Sequence, residues 1–341
     1  MTTKKETNTK RPTKDEQFRK MAVFAAEIRE KRPWEHAGYP GPFVCHRDAN
    51  SPTYIYTLVN GDDGYGITIF FTSRDYNRSS IKYDDPKADL RKDIELAFFC
   101  VVFSDWEELP KGEQETFEHL SLRFPEGCWP HFVSKRRGCM PALLAPDEFE
   151  RMAECLWHFR EQLNAMRENG DLFRFKRGEM ALRYYDAETQ EWKHSLVRGG
   201  VVADEWRVPL WNADEPAIQS LKQIPFSADV SELEVDFGWL YPENPDRLVD
   251  GYEFGMLVAV SDRKTKEVLL RYGCAQEDFD MRMIDVVSEA ILKYGKPRTI
   301  YVSRIESANI LESFARAVNI ELERVDSLQS ATAAVYSCRA V

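Results

Sequence analysis

The sequence predicts a mixed protein of two domains, an α+β half followed by an α/β half. Three observations carry this reading. The chain has 341 residues, about twice a usual domain length, and 43% of them are hydrophobic, enough for packed cores. Its first half interleaves helical and strand patterns in irregular order, whereas its last third reads as a regular β-β-β-α-β-α-β.

Residues 1–13 are rich in Lys, Thr and Asn without an apolar period, so a disordered tail is expected there. The α+β domain is expected over 14–168. Phe18, Met21, Ala22, Ala25 and Ile28 recur at helical spacing until Arg32-Pro33 ends the pattern. Thr53 to Val59 and Tyr65 to Thr72 are β-branched and aromatic runs around Asn60-Gly61-Asp62-Asp63-Gly64, a hairpin signal. Ile94 to Phe103 reads as a strand buried on both faces. Glu113 to Leu122 and Asp147 to Met166 read as helices. A hairpin, Met180 to Val197, then lies in an expected linker region, 169–212. Its Asp186-x-x-Thr-x-Glu turn is echoed at Asp262-x-x-Thr-x-Glu, and an Asp that caps a turn accounts for both.

The second domain is expected over 213–335. Leu233 to Tyr241, Phe254 to Ser261 and Glu267 to Cys274 are successive strands. A helix follows with Met283, Ile284, Val287, Ala290, Ile291 and Tyr294 on one side, stopped by Gly295-Lys296-Pro297. Thr299 to Ser303 is a short strand, Ser307 opens a helix carrying Ile310, Leu311, Phe314, Ala315 and Val318, and Ile320 to Val325 is the last strand. Three antiparallel strands followed by helix-connected strands is the order of a ribonuclease-H-like fold.

Short motifs in both halves carry a family resemblance. Lys31-Arg32-Pro33-Trp34-Glu35, and Cys128-Trp129-Pro130-His131-Phe132-Val133-Ser134 followed by Gly138 and Pro141, resemble the first domain of a bacterial family of tandem-domain proteins of unknown function. Gly295-Lys296-Pro297-Arg298-Thr299-Ile300-Tyr301-Val302, Ile320-Glu321-Leu322 and Asp326-Ser327-Leu328 resemble its second domain. The resemblance brings no activity, substrate or catalytic residue with it.

The 46 Lys+Arg against 57 Asp+Glu give a net charge of −11, which argues against a surface that wraps duplex nucleic acid. The longest apolar run, Leu96 to Ser104, covers nine residues, whereas a membrane-spanning helix needs roughly 20. The N-terminus has no apolar core of a secretory signal, and seven dispersed cysteines suggest reduced thiols, so a cytoplasmic protein is expected.

Four constellations could carry chemistry. A ribonuclease-H-like nuclease needs carboxylates that converge on two Mg²⁺, and Asp236, Glu289 and Asp326 are the candidates. Ser303-Arg304 stands where the fourth strand should bring an acid, and Arg304 would oppose a cation. Cys128-x-x-His131 and Cys155-x-x-His158 together make a tetrahedral zinc ligand count, although each also fits an ordinary core. Cys45-His46, in a loop-like setting, are adjacent and point apart, so they do not form a nucleophile and base. Lys135, Arg136 and Arg137 after an aromatic segment, and Arg174, Lys176 and Arg177 between phenylalanines, could neutralise and stack a single-stranded nucleic acid. No nucleotide-cradling glycine loop or hydrolase elbow occurs. The expectation is a non-catalytic binding or regulatory module that acts on a protein partner without a cofactor. The alternative is a divergent nuclease requiring Mg²⁺, or a single-strand binder.

Overall fold

A computed structural model describes residues 12–36, 43–48, 51–61, 64–79, 94–169, 179–198, 215–242, 249–275 and 278–337. The chain divides into two compact units, residues 1–204 and 205–341, each mixed α/β with one main sheet.

In the first unit, α1 (Lys14–Lys31) starts on a reciprocal cap, the Thr13 hydroxyl accepting from Glu16 N and the Glu16 carboxylate from Thr13 N. It ends where Arg32 turns left-handed at φ 45° before Pro33, and a short α2 (Pro33–His36) follows. The strands are β1 (Phe43–Asp48), β2 (Ser51–Gly61), β3 (Gly64–Phe70), β4 (Phe98–Ser104), β5 (Trp129–Lys135), β6 (Ala142–Leu143), β7 (Glu179–Asp186) and β8 (Glu191–Arg198). They form one sheet in the order β6-β5-β4-β3-β2-β1-β7-β8, antiparallel except where β1 runs beside β7. Helices α3 (Ser73–Ser79) and α4 (Lys111–His119) precede the long α5 (Phe149–Asn169). One face of the sheet packs on α1 and α5, with Met21, Ile28, Leu156, Phe159 and Leu163 buried completely beside Tyr56 and Phe132.

Three expectations change. The hairpin of 180–197 is not part of a linker. Its strand β7 pairs with β1 and continues the first sheet, which a reading of local pattern could not see because the partner lies far back in the chain. Cys45 is not in a loop but buried in mid-sheet, between Tyr54 and Arg183 on neighbouring strands. The run from Ile94 becomes regular strand only at Phe98, and its residues alternate between buried and half-buried, so one face is covered more than the other.

The second unit holds α6 (Pro216–Gln223), β9 (Glu232–Leu240), β10 (Gly255–Asp262), β11 (Val268–Cys274), α7 (Phe279–Tyr294), β12 (Thr299–Val302), α8 (Ile305–Ala317), β13 (Glu321–Arg324) and α9 (Ser330–Tyr336). The sheet order is β11-β10-β9-β12-β13, with β9, β10 and β11 antiparallel and β12 parallel to both β9 and β13. Lys296 of the Gly-Lys-Pro stop is buried, donates to the carbonyls of Lys222 and Val318 at 3.0 and 3.4 Å, and lies over Phe226. That motif is a clamp between α6 and the end of α8. The expected tail lies outside the described residues up to residue 11, as do 170–178 and 199–212 of the expected linker.

Candidate functional site

The two-residue period of β9 sorts its side chains cleanly. Leu233, Val235, Phe237 and Trp239 are buried on one face, where Phe237 meets Phe279 of α7 at 4.5 Å. Glu234, Asp236 and Gly238 face α9. Asp236 is 1% exposed, and both its oxygens are engaged. Oδ1 accepts from Arg304 Nε at 3.1 Å, and Oδ2 from the Thr332 hydroxyl at 2.6 Å. Arg304 stands just past β12, lies over the Phe237 ring at 4.5 Å and donates to the Tyr336 hydroxyl at 2.8 Å. Glu234 accepts from the main-chain N–H groups of Ser330 and Ala331 at 2.8 and 3.2 Å, with Arg263 3.6 Å away. Two acids on one strand thus hold down α9.

The three candidate acids do not converge. Asp236 sits in register with Ala259 and Arg271, whereas Phe237 sits in register with Val258 and Tyr272. Paired residues of adjacent strands share a face. Glu289 accepts from the Tyr272 hydroxyl at 2.9 Å, which places it on the Phe237 face, opposite Asp236. Asp326 is exposed on the segment after β13. A dication at Asp236 would have to displace a hydrogen-bonded guanidinium of like sign.

The zinc candidates are also apart. His131 on β5 pairs through Nδ1 with Glu113 at 2.7 Å, while the other Glu113 oxygen accepts Phe132 N at 2.8 Å. Cys128 is half-buried before that strand. Cys155 is sealed in the core, its thiol pushed well above its usual range by burial, and its carbonyl accepts from the Tyr56 hydroxyl at 3.0 Å. His158 lies between Trp157 and Trp192, each with its ring centre 4.6 Å away, and Arg183 Nε donates to its Nδ1 at 3.4 Å. Among the described residues no three His, Cys, Asp or Glu side chains are placed to hold a metal.

The first basic segment does not present three cations to a nucleic acid. Lys135 is 5% exposed and donates to the Cys139 carbonyl. Arg137 reaches the buried Asp75 at 3.1 Å and the Glu95 carbonyl at 3.1 Å, tying the turn after β5 to α3. Only Arg136 of the three is exposed. Arg174, Lys176 and Arg177 lie outside the described residues.

One cluster escaped the sequence reading. Tyr54, Cys45, Arg183 and His194 stand in register across β2, β1, β7 and β8. Arg183 is 4% exposed, hydrogen-bonds His194 Nε2 at 2.9 Å and lies over Trp192 at 4.7 Å. Burial lowers the Arg183 pKa, and burial followed by the Arg183 charge holds His194 down at about 4. The signal available was an arginine at the inward-facing position two after Ala181, but its partners come from three other elements.

Against known proteins, residues 19–183 match a Domain of unknown function (DUF7309), and residues 217–337 match a second Domain of unknown function (DUF6930). No curated protein matches the chain. The two matches follow one another along the polypeptide, one in each compact unit. The chain belongs to a tandem-domain family that joins these two domains of unknown function.

Proposed function

We propose that the C-terminal unit is ribonuclease-H-like in chain path and works as a non-catalytic binding module for a protein partner in the cytoplasm. The strand order β11-β10-β9-β12-β13, with β9 at the centre, β10 antiparallel to it and β12 parallel to it, supports the first part. The single observation that carries the second is the Asp236–Arg304 ion pair: a guanidinium fills the place where a two-metal site would gather its cations. With Asp236 neutralised and Glu289 on the opposite face, the acids have no common ion to hold.

The reading is tested with purified chain, Mg²⁺ or Mn²⁺, and a panel of DNA, RNA and hybrid substrates. No cleavage should exceed that of Asp236→Asn. Cleavage that Asp236→Asn abolishes would make the protein a nuclease. A single-strand binder is less favoured because Lys135 and Arg137 are spent inside the fold. It would reveal itself by tight binding whose affinity falls with log salt at a slope of about −0.7 per phosphate neutralised.

A further inference from the structure

We propose that the groove between β11 and α9 docks an extended acidic segment of a partner protein, which adds a strand to the open edge of the C-terminal sheet. The proposal rests on the binding-module reading and supplies the chemistry of its partner. β11 ends the sheet order, so the outer side of its main chain has no partner strand among the described residues. α9 lies chiefly over β9 and β10. Beside β11 that leaves a groove of about 470 Å³.

The groove's chemistry selects the occupant. Among the described residues its only charged lining residues are Lys266 and Arg271, both exposed, and no carboxylate lines it, in a chain that carries 57 acidic against 46 basic residues. Lys264, exposed on the same turn as Lys266, adds a third cation nearby. The opposite wall is Ser330, Ala333, Ala334 and Ser337, one helical face of small side chains that lets another backbone come close. Ser330 is 7% exposed and lines the groove with its hydroxyl buried beneath the surface, without a hydrogen-bond partner among the described residues. Its main-chain N–H is not available, since Glu234 already takes it. A strand laid along β11 gains main-chain hydrogen bonds at the edge and turns alternate side chains, about 6.7 Å apart, towards the two cations.

The test is fluorescence anisotropy of the full chain with a short fluorescein-labelled peptide of alternating glutamate and valine, at physiological salt, with lysine replacing glutamate in the control peptide. The glutamate peptide should bind and the lysine peptide should not. Lys266→Glu combined with Arg271→Glu should weaken binding at least about tenfold. Ala333→Phe, at an exposed position, should weaken it comparably by filling the groove without touching a charge, while the melting temperature stays unchanged. If the double charge reversal alters folding, Ala333→Phe still decides. Binding left intact by Ala333→Phe would overturn the proposal, and so would equal binding of the lysine peptide. Citrate competing as well as unlabelled peptide would make the groove a small-anion site and overturn it too. No peptide binding together with no nuclease activity refutes the groove alone, whereas cleavage lost in Asp236→Asn refutes the reading beneath it.

Discussion

At the scale of single residues, the buried charges are the informative ones. Asp236 is 2% exposed at its side chain and Arg304 22%, so removing the arginine leaves a buried carboxylate with no cation and only the Thr332 hydroxyl and the Phe237 N–H as donors among the described residues. Arg304→Ala is expected to destabilise the C-terminal unit towards the lower end of the roughly 3–5 kcal/mol typical of a broken buried pair. Urea unfolding checks this, and Asp236→Leu added to Arg304→Met should restore much of the loss. His194 gives a pH signature. Its folded-state pKa of about 4 lies below the ordinary 6.5, so the unfolded chain takes up a proton that the folded chain refuses. Its contribution is complete above pH 6.5 and declines as pH falls towards 4. Unfolding measured just above pH 6.5 and at about pH 5 should therefore differ more in the wild type than in His194→Gln. An equal difference in both would show that His194 is not the titrating group.

At the scale of elements, α9 shows what local pattern conceals. Its Ser-Ala-Thr-Ala-Ala-Val-Tyr has no amphipathic stripe of large residues, and it is held by Glu234 and Asp236, about a hundred residues earlier in the chain. Gly238 belongs to this contact, because a Cβ there would collide with the Val335 side chain. Gly238→Val should lift α9 from β9, and amide exchange at Ser330 and Ala331 should speed up while exchange within α7 is spared. Unchanged protection of those two amides would contradict the packing. The strands β9 to β11 and helices α7 and α8 were legible because each carries its own period between turn residues. The six-residue β1 and the seven-residue α3 are too short to show one. The Lys135–Arg137 segment was misread because cations are rarely buried. Its acceptors, the Cys139 carbonyl and Asp75, are set by tertiary packing. The echoed Asp186 and Asp262 turns were legible as caps: Asp186 accepts from Glu188 N at 2.9 Å, and Asp262 from Lys264 N at 2.9 Å.

At the scale of the whole molecule, each unit has its own sheet and core, and each holds one of the two family matches. Residues 1–204 and 205–341 expressed apart should each unfold cooperatively, and failure of either to fold alone would show that the division is not one of stability. The free thiols follow the same logic of burial, with Cys100 pushed up to about 11 and Cys155 higher still, so neither is poised as a nucleophile. The account centres on Arg304 standing where a catalytic metal would. Mn²⁺ titration of the full chain, followed by the electron paramagnetic resonance of the free ion, measures this directly. The wild type and Asp236→Asn should leave equal free Mn²⁺ at every addition, whereas stoichiometric uptake by the wild type that Asp236→Asn abolishes would contradict it.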